Sequence, residues 1–180
     1  TAVKDHARKI QTAGRSLLKL AEKERLLIDA VMECPKQTRN HIGELLSTLL
    51  PKLRDEYPNA ELTVEGEVDR PVRAVPNFER ALHELIENAI VHNDSSVPKV
   101  TIRIETSGDT VTLRIRDNGP GMSTTEARVL IGEQPISPLH HGSGLGVRLA
   151  NLLVAQSGGT LELVPTEGDG TEVPITLRRA

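Results

Sequence analysis

Glu84, Asn88 and His92 stand four residues apart in the stretch "ALHELIENAIVHND", residues 81–94. At that spacing a helix sets a carboxylate, an amide and an imidazole in one row. Phe78, Ala81, Leu82, Leu85, Ile86, Ala89 and Ile90 recur at helical spacing beside them. The row therefore borders an apolar stripe that must face a core. Three side chains able to handle protons or hold charged ligands along such a border suggest a site; a solvated helix flank is the competing reading. His83 turns away from the row and reads as solvated, and Glu87 points further out still.

Two more motifs follow in the chain. "GSGLG", residues 142–146, comes directly before an expected helix. Glycines let a backbone approach phosphate closely, and a helix N-terminus offers free N–H groups and a positive dipole end. The motif is neither the Walker pattern, which needs Gly-Lys-Ser/Thr, nor the dinucleotide fingerprint, which follows a strand. "DNGPGM", residues 117–122, comes directly after an expected strand. It places the Asp117 carboxylate at the strand end above a Gly-Pro-Gly turn, although a plain turn would use the same residues.

The elements that must carry these residues follow from periodicity. Residues 2–33 read as one long helix whose apolar stripe runs through Val3, Ile10, Ala13, Leu17, Leu20, Leu27 and Val31, with Pro35 stopping it. Such a helix cannot bury its own stripe and calls for a partner helix. Residues 41–56 suggest a second helix in which Pro51 implies a kink or a late start. From residue 60 the period becomes two: "ELTVEG" is a short strand, and Val100, Ile102, Ile104 and then Val111, Leu113, Ile115 alternate with polar residues around the turn "SGD". Ser123 with Glu126 forms a capping box. Residues 132–143 read as a mobile loop, and a helix from about residue 145 ends at Gly158 and Gly159. "TLELV" and "TEVPITL" form a last hairpin around "EGDG". Strands of this kind bury one face. The expected fold class is α+β, a two-layer α/β sandwich with a mixed sheet, preceded by the long helix.

Composition narrows the function classes. The 180 residues carry a net charge of −3 with acids and bases interspersed, one Phe, one Tyr and no Trp. There is no basic field to attract nucleic acid and almost nothing on which a base can stack. The core must be aliphatic. Cys34 is the only cysteine, so an internal disulfide is impossible. No apolar run approaches a membrane span and no signal-peptide pattern is present. The expectation is a cytoplasmic segment without membrane or nucleic-acid contact, whose parent protein can still be membrane-anchored.

In order and spacing the three motifs resemble the ATP-binding domain shared by histidine kinases, type II topoisomerases, Hsp90 and MutL mismatch-repair proteins, the GHKL or Bergerat-fold ATPases. "HELIEN", residues 83–88, matches the asparagine box, "DNGPGM" the first glycine box and "GSGLG" the second. "GDGTEVPITL", from Gly168, resembles the closing Gly-Thr strand. Within the superfamily, "ELIENAIVHND" followed by "HGSGLG" is similar to histidine kinases common in haloarchaea. "AEKERLLIDAVM" is similar to the second helix of a kinase dimerisation hairpin. The phenylalanine box between the glycine boxes is absent. The implied organisation is a partial dimerisation helix at 1–34, a linker and helix at 35–59, and the ATP-binding catalytic domain at 60–180.

The resemblance implies a role for each position. Asn88 would hold a magnesium ion bridging the phosphates, a hard cation for which a neutral amide oxygen is suited. Glu84 would orient or deprotonate a nucleophile, directly or through metal-bound water. His92 would reach a phosphate, with a partly buried helix histidine as the alternative. Asp117 would accept from the adenine amine, Gly119 and Gly121 would leave room for the purine with Met122 beside them, and Thr171 would hold a water against the ring. Residues 123–141 would be the ATP lid, bringing His140 and His141 near the terminal phosphate unless they are solvent contacts. Gly142, Ser143, Gly144, Leu145 and Gly146 would cradle the phosphates. Arg128 and Arg148 are the only bases this reading places nearby. The implied activity is ATP-dependent phosphorylation of a histidine on a dimerisation helix for relay to a response regulator, with a homodimer formed through the N-terminal helix. The alternatives are an anti-sigma-factor type serine kinase, which lacks such a helix, and a catalytically silent ATP-binding scaffold.

Overall fold

The computed structural model describes residues 2–32, 35–133, 144–165 and 170–180. The chain begins with the 31-residue helix α1 (Ala2–Met32). Next come β1 (Thr38–His41), α2 (Ile42–Glu56), β2 (Glu61–Gly66), β3 (Pro71–Ala74) and α3 (Phe78–Val91). The hairpin β4 (Lys99–Ser107) and β5 (Thr110–Asp117) leads to α4 (Thr124–Leu130), α5 (Leu145–Gln156), β6 (Thr160–Leu161) and β7 (Glu172–Arg178).

Five strands form one mixed sheet in the order β2-β4-β5-β7-β6. Only the β2–β4 pair is parallel. The period-2 residues do what their spacing requires: Val100, Ile102 and Ile104 of β4, and Val111, Leu113 and Ile115 of β5, are all buried on one face. That face meets Leu49 and Leu53 of α2, Phe78, Leu82 and Ile86 of α3, and Leu149 and Leu153 of α5, also buried. The result is the expected two-layer sandwich. Phe78 is the single aromatic of this core and is fully buried.

Several local features differ from the sequence reading. β1 and β3 pair antiparallel as a separate two-stranded sheet, from Thr38 opposite Ala74 to His41 opposite Pro71. Four-residue strands are too short to show alternation, so periodicity passes over them. The segment read as linker and helix, 35–59, therefore holds β1 and α2, and Ile42, Leu46, Leu49, Leu50 and Leu53 are part of the common core. α2 starts at Ile42, well before Pro51. The strand read in "TLELV" shrinks to Thr160–Leu161 with an isolated bridge from Val164 to Glu172.

α1 folds back on the sandwich and packs against α5. Ala30 is buried, and Leu26 and Leu27 are packed on the core. The Gln156 amide donates to the Ala30 carbonyl, and the Gln37 amide donates to the Gln156 carbonyl at 3.0 Å. The other side of α1 stays open: Ile10, Leu17, Ile28, Val31 and Met32 are between 62% and 80% exposed. Among the described residues, no helix is long and apolar enough to cross a membrane.

Candidate functional site

α3, the end of β5, α4 and the start of α5 converge on one open cavity of about 620 Å³. Asn88 and His92 of α3, Asp117 of β5, Gly121 and Met122 of the following turn, Gly144 and Gly146 at the start of α5, and Thr171 line it. Residues of three motifs that run from position 83 to position 146 thus meet around one cavity. Gly119 sits beside Asp117, outside the wall, and Leu145 is a half-buried residue of the first turn of α5. His140, His141, Gly142 and Ser143 lie outside the described residues, as does Gly168.

Asp117 is held by its surroundings. Its Oδ1 accepts from the Gly119 N–H at 2.7 Å and from the Thr171 N–H at 3.1 Å. Its own N–H donates to the Thr171 carbonyl at 3.0 Å. Burial raises the carboxyl above the ordinary aspartate value, opposed by the two backbone donors. The Thr171 side chain is a further hydrogen-bonding neighbour of this carboxylate, and the group as a whole lines the cavity. Gly170 is what allows the Thr171 strand to come this close. Its φ is +74°, and a Cβ there would lie 2.0 Å from the Asp117 carbonyl oxygen. Gly170→Ala should therefore displace the Asp117 end of β5 and cost about 1–3 kcal/mol of stability. Denaturant unfolding measures this, and a stability equal to wild type would show that the contact relaxes freely.

At the opposite wall, α5 begins at Gly144, whose φ of +60° is left-handed. Gly144 itself provides no side-chain cap. Its first-turn N–H groups and dipole end face the cavity region, an arrangement suited to anions. Gly146 then presses onto α3: a Cβ there would meet Glu84 Oε2 at 2.4 Å and Asn88 Nδ2 at 3.4 Å. Ser123 caps α4 through the expected reciprocal capping box with Glu126.

The row on α3 is only partly as its spacing suggests. Asn88 is half-buried at the cavity wall, and its side chain makes no hydrogen bond among the described residues. His92 is the C-cap of α3 and is exposed. Glu84 is fully buried instead of bordering the cavity. Its Oε1 pairs with Arg80 at 2.8 Å and its Oε2 with Lys23 of α1 at 2.7 Å. Glu87, expected to point outward, is also buried, because α1 and Tyr57 cover that flank. Tyr57 Oη donates to Glu87 Oε1 at 2.9 Å, and Lys19 and Lys23 lie 3.4 and 3.5 Å from its two oxygens. Burial alone would raise the Glu87 carboxyl; the Tyr57 hydroxyl and the two ammonium groups outweigh it and hold it below the ordinary value. Burial, together with the Glu87 contact, pushes the Tyr57 phenol up. His83, expected to be solvated, is half-buried with Nδ1 4.0 Å from Glu87.

Lys19, Lys23 and Arg80 are thus the bases that the sequence reading missed. On α1 the two lysines look like solvated charges, and only the fold-back of the helix brings them to the cavity wall. Their spacing of four residues on one helix face is the one signal that marks them as a pair.

Comparison with known proteins agrees with this geometry. Residues 74–180 match the family described as "Histidine kinase-, DNA gyrase B-, and HSP90-like ATPase". The chain is 27% identical over 139 residues to the C4-dicarboxylate transport sensor protein DctS of Rhodobacter capsulatus, covering 76% of this chain and 21% of that protein. It is 27% identical over 187 residues to the sensor protein kinase PmrB of Pseudomonas aeruginosa, covering 97% and 39%. The chain thus spans less than half the length of these curated relatives. Its fold is shared with the solved histidine kinase AdeS of Acinetobacter baumannii, at a TM-score of 0.72 and 21% identity over 91% of this chain and 79% of that one. With its asparagine-bearing helix, its strand-end aspartate and its glycine-led helix around one cavity, the chain belongs to the histidine kinase-, DNA gyrase B- and HSP90-like ATPase family.

Proposed function

We propose that this chain is the ATP-binding catalytic part of a sensor histidine kinase. It transfers the γ-phosphate of ATP to a histidine on a dimerisation helix, from which a response regulator takes it. The observation that carries this reading is the convergence of Asn88, Asp117 and the Gly144–Gly146 helix start on a single cavity. The similarity to the sensor protein kinase PmrB and to the sensor protein DctS supports the choice within the family.

In this reading the adenine lies at the β5 end. Asp117 accepts from its exocyclic amine, Gly121 and Met122 bound the ring with Thr171 beside them, and Gly119 acts from behind the wall by holding Asp117 Oδ1 through its N–H. The phosphates run toward the start of α5 at Gly144, Leu145 and Gly146, with His92 on the same cavity; the phosphate roles proposed for His141, Gly142 and Ser143 fall outside the described residues. Magnesium, when bound, supplies the charge that neutralises the phosphates. Asn88 fits the ion: among the described residues its amide has no hydrogen-bond partner, and it faces the Gly146 backbone, which no Cβ fills. Glu84 would orient or deprotonate the attacking group, a role that requires its buried pairs with Arg80 and Lys23 to open.

The same reading extends to assembly. Residues 1–34 are part of a dimerisation helix, 35–59 lead into the catalytic unit, and 60–180 form it. The open side of α1, with Ile10, Leu17 and Val31, is the surface through which a homodimer forms. The chain works in the cytoplasm, within a parent protein that can be membrane-anchored. The likeness to haloarchaeal kinases, carried by "ELIENAIVHND" and "HGSGLG", is the finer form of this proposal.

The test is phosphorylation. His6, in "KDHARKI", is followed by Ala and Arg instead of an acid, and it lies on the helix that resembles the second of the hairpin. This chain should therefore bind ATP without labelling itself, and a chain carrying the first dimerisation helix should acquire acid-labile, base-stable label when added. Incubation with radiolabelled ATP followed by acid and alkali treatment checks both. Acid-labile labelling of the chain alone, lost in His6→Ala, would overturn the assignment of α1.

A further inference from the structure

Lys19 and Lys23 are the only lysine or arginine side chains among the described residues lining the cavity. They do not come from the sandwich. Ser16, Lys19, Leu20 and Lys23 stand at positions i, i+3, i+4 and i+7 of α1, so one face of that helix forms a wall of the cavity. Glu87, Asp117 and Glu126 line the same space. Without the two lysines the described lining would hold three carboxylates and no permanent cation, a poor surround for a polyanion.

The two lysines sit differently. Lys23 Nζ lies 2.7 Å from Glu84 Oε2, the oxygen that stands against the Gly146 backbone, and Asn88 Nδ2 faces the same glycine. The ammonium is therefore at the end of the cavity where α5 begins. Its side chain is 17% exposed, and one oxygen of Glu84 and one of Glu87, the latter at 3.5 Å, hold it in place. An ammonium has three N–H donors, so one remains for the cavity. Lys19 lies one turn earlier, 3.1 Å from Glu56 and 3.4 Å from Glu87, with 58% of its side chain exposed. An exposed pair such as Lys19 with Glu56 contributes little, so this ammonium can exchange Glu56 for a stronger anion at low cost. A triphosphate carries more negative charge than one magnesium ion neutralises, and lysine serves phosphate as a point charge.

We propose that Lys23 and Lys19 form a cationic phosphate subsite of this cavity, so that α1 supplies a binding wall for the polyphosphate of the nucleotide. Lys23 is the fixed contact, and Lys19 is the one that turns to the phosphates when they arrive. The inference rests on the nucleotide reading of the cavity and deepens it; it makes no use of Glu84 as a base.

The experiment titrates the 180-residue chain with ATP, adenosine and inorganic triphosphate, each with magnesium, by calorimetry. The variants are Lys19→Met, Lys19→Met/Lys23→Met and Lys19→Arg. Lys19→Met removes a charge without orphaning a buried group, because Glu87 keeps Tyr57 and Lys23 and Glu56 is exposed. It should weaken ATP and triphosphate several-fold, and the double variant should weaken them about tenfold or more, with adenosine unchanged. Lys19→Arg, which keeps the charge, should resemble wild type. Equal affinity of wild type and both methionine variants for ATP and triphosphate would overturn the subsite. So would a loss of adenosine binding as large as the loss of ATP binding, since lysines that only hold the wall would weaken every ligand alike. A wild-type chain that binds triphosphate through the lysines but neither ATP nor adenosine would keep the subsite and sink the nucleotide reading. Binding of none of the three would sink both.

Discussion

Asn88→Ala should abolish magnesium-dependent turnover while leaving the fold intact. The two halves of this expectation come from different observations. Asn88 is half-buried at the cavity wall and its side-chain amide bonds to nothing in the described protein. Truncating it leaves no orphaned partner and no core cavity, so stability should change by less than about 0.5 kcal/mol. A metal ion stabilises transition-state charge by several kcal/mol, and losing its ligand should lower turnover about a hundredfold or more. Thermal unfolding without ligand and phosphate release with and without magnesium measure the two halves. A variant that melts much earlier would show that Asn88 is a structural residue. A variant that turns over ATP as well as wild type would remove it from the metal site.

The contrast between Asn88 and Glu84 shows what helical spacing can reveal. Positions four apart are bound to share an edge of the helix, and on α3 they do. Whether that edge meets solvent, a ligand or another helix is not written in the spacing. Asn88 faces the cavity, whereas Glu84, one turn earlier, is sealed by a helix whose own residues lie some 60 positions upstream. Glu87 shows the same effect more sharply. Read from α3 alone it points outward, and it is buried because Tyr57 of the α2 C-terminus and the α1 lysines come to it. Long-range docking of a polar helix flank leaves little trace in composition, since lysines that end in buried pairs look like lysines that end in water.

The sandwich was legible for the opposite reason. Burial against a sheet demands period two, and burial of a helix on that sheet demands period 3.6, so Val100, Ile102 and Ile104 or Phe78, Leu82 and Ile86 announce their faces directly. The motif glycines were legible too, because backbone geometry allows little else at Gly144 and Gly170, both at positive φ. β1 and β3 were not legible. Their pairing joins four-residue segments about 33 positions apart, and only Val72 and Ala74 of β3 face the core.

Asp117→Asn should weaken ATP binding by roughly tenfold to a hundredfold, and the surroundings of the carboxylate say why a nearly isosteric change does so much. Oδ1 accepts from two backbone N–H groups, Gly119 and Thr171. In the variant the amide oxygen must take that position, because an NH2 group there would face two donors. The NH2 group is then forced into the Oδ2 position, where the adenine amine, itself a donor, would have to bind. The loss is that of a hydrogen bond to a charged acceptor, roughly 1.5–3 kcal/mol, which converts to the stated range in affinity. The fold should survive, since the amide oxygen keeps both backbone donors. Calorimetric titration with magnesium-ATP is the measurement, with thermal unfolding as the control. An affinity equal to wild type would take Asp117 out of the adenine site, and with it the orientation of the nucleotide between β5 and α5.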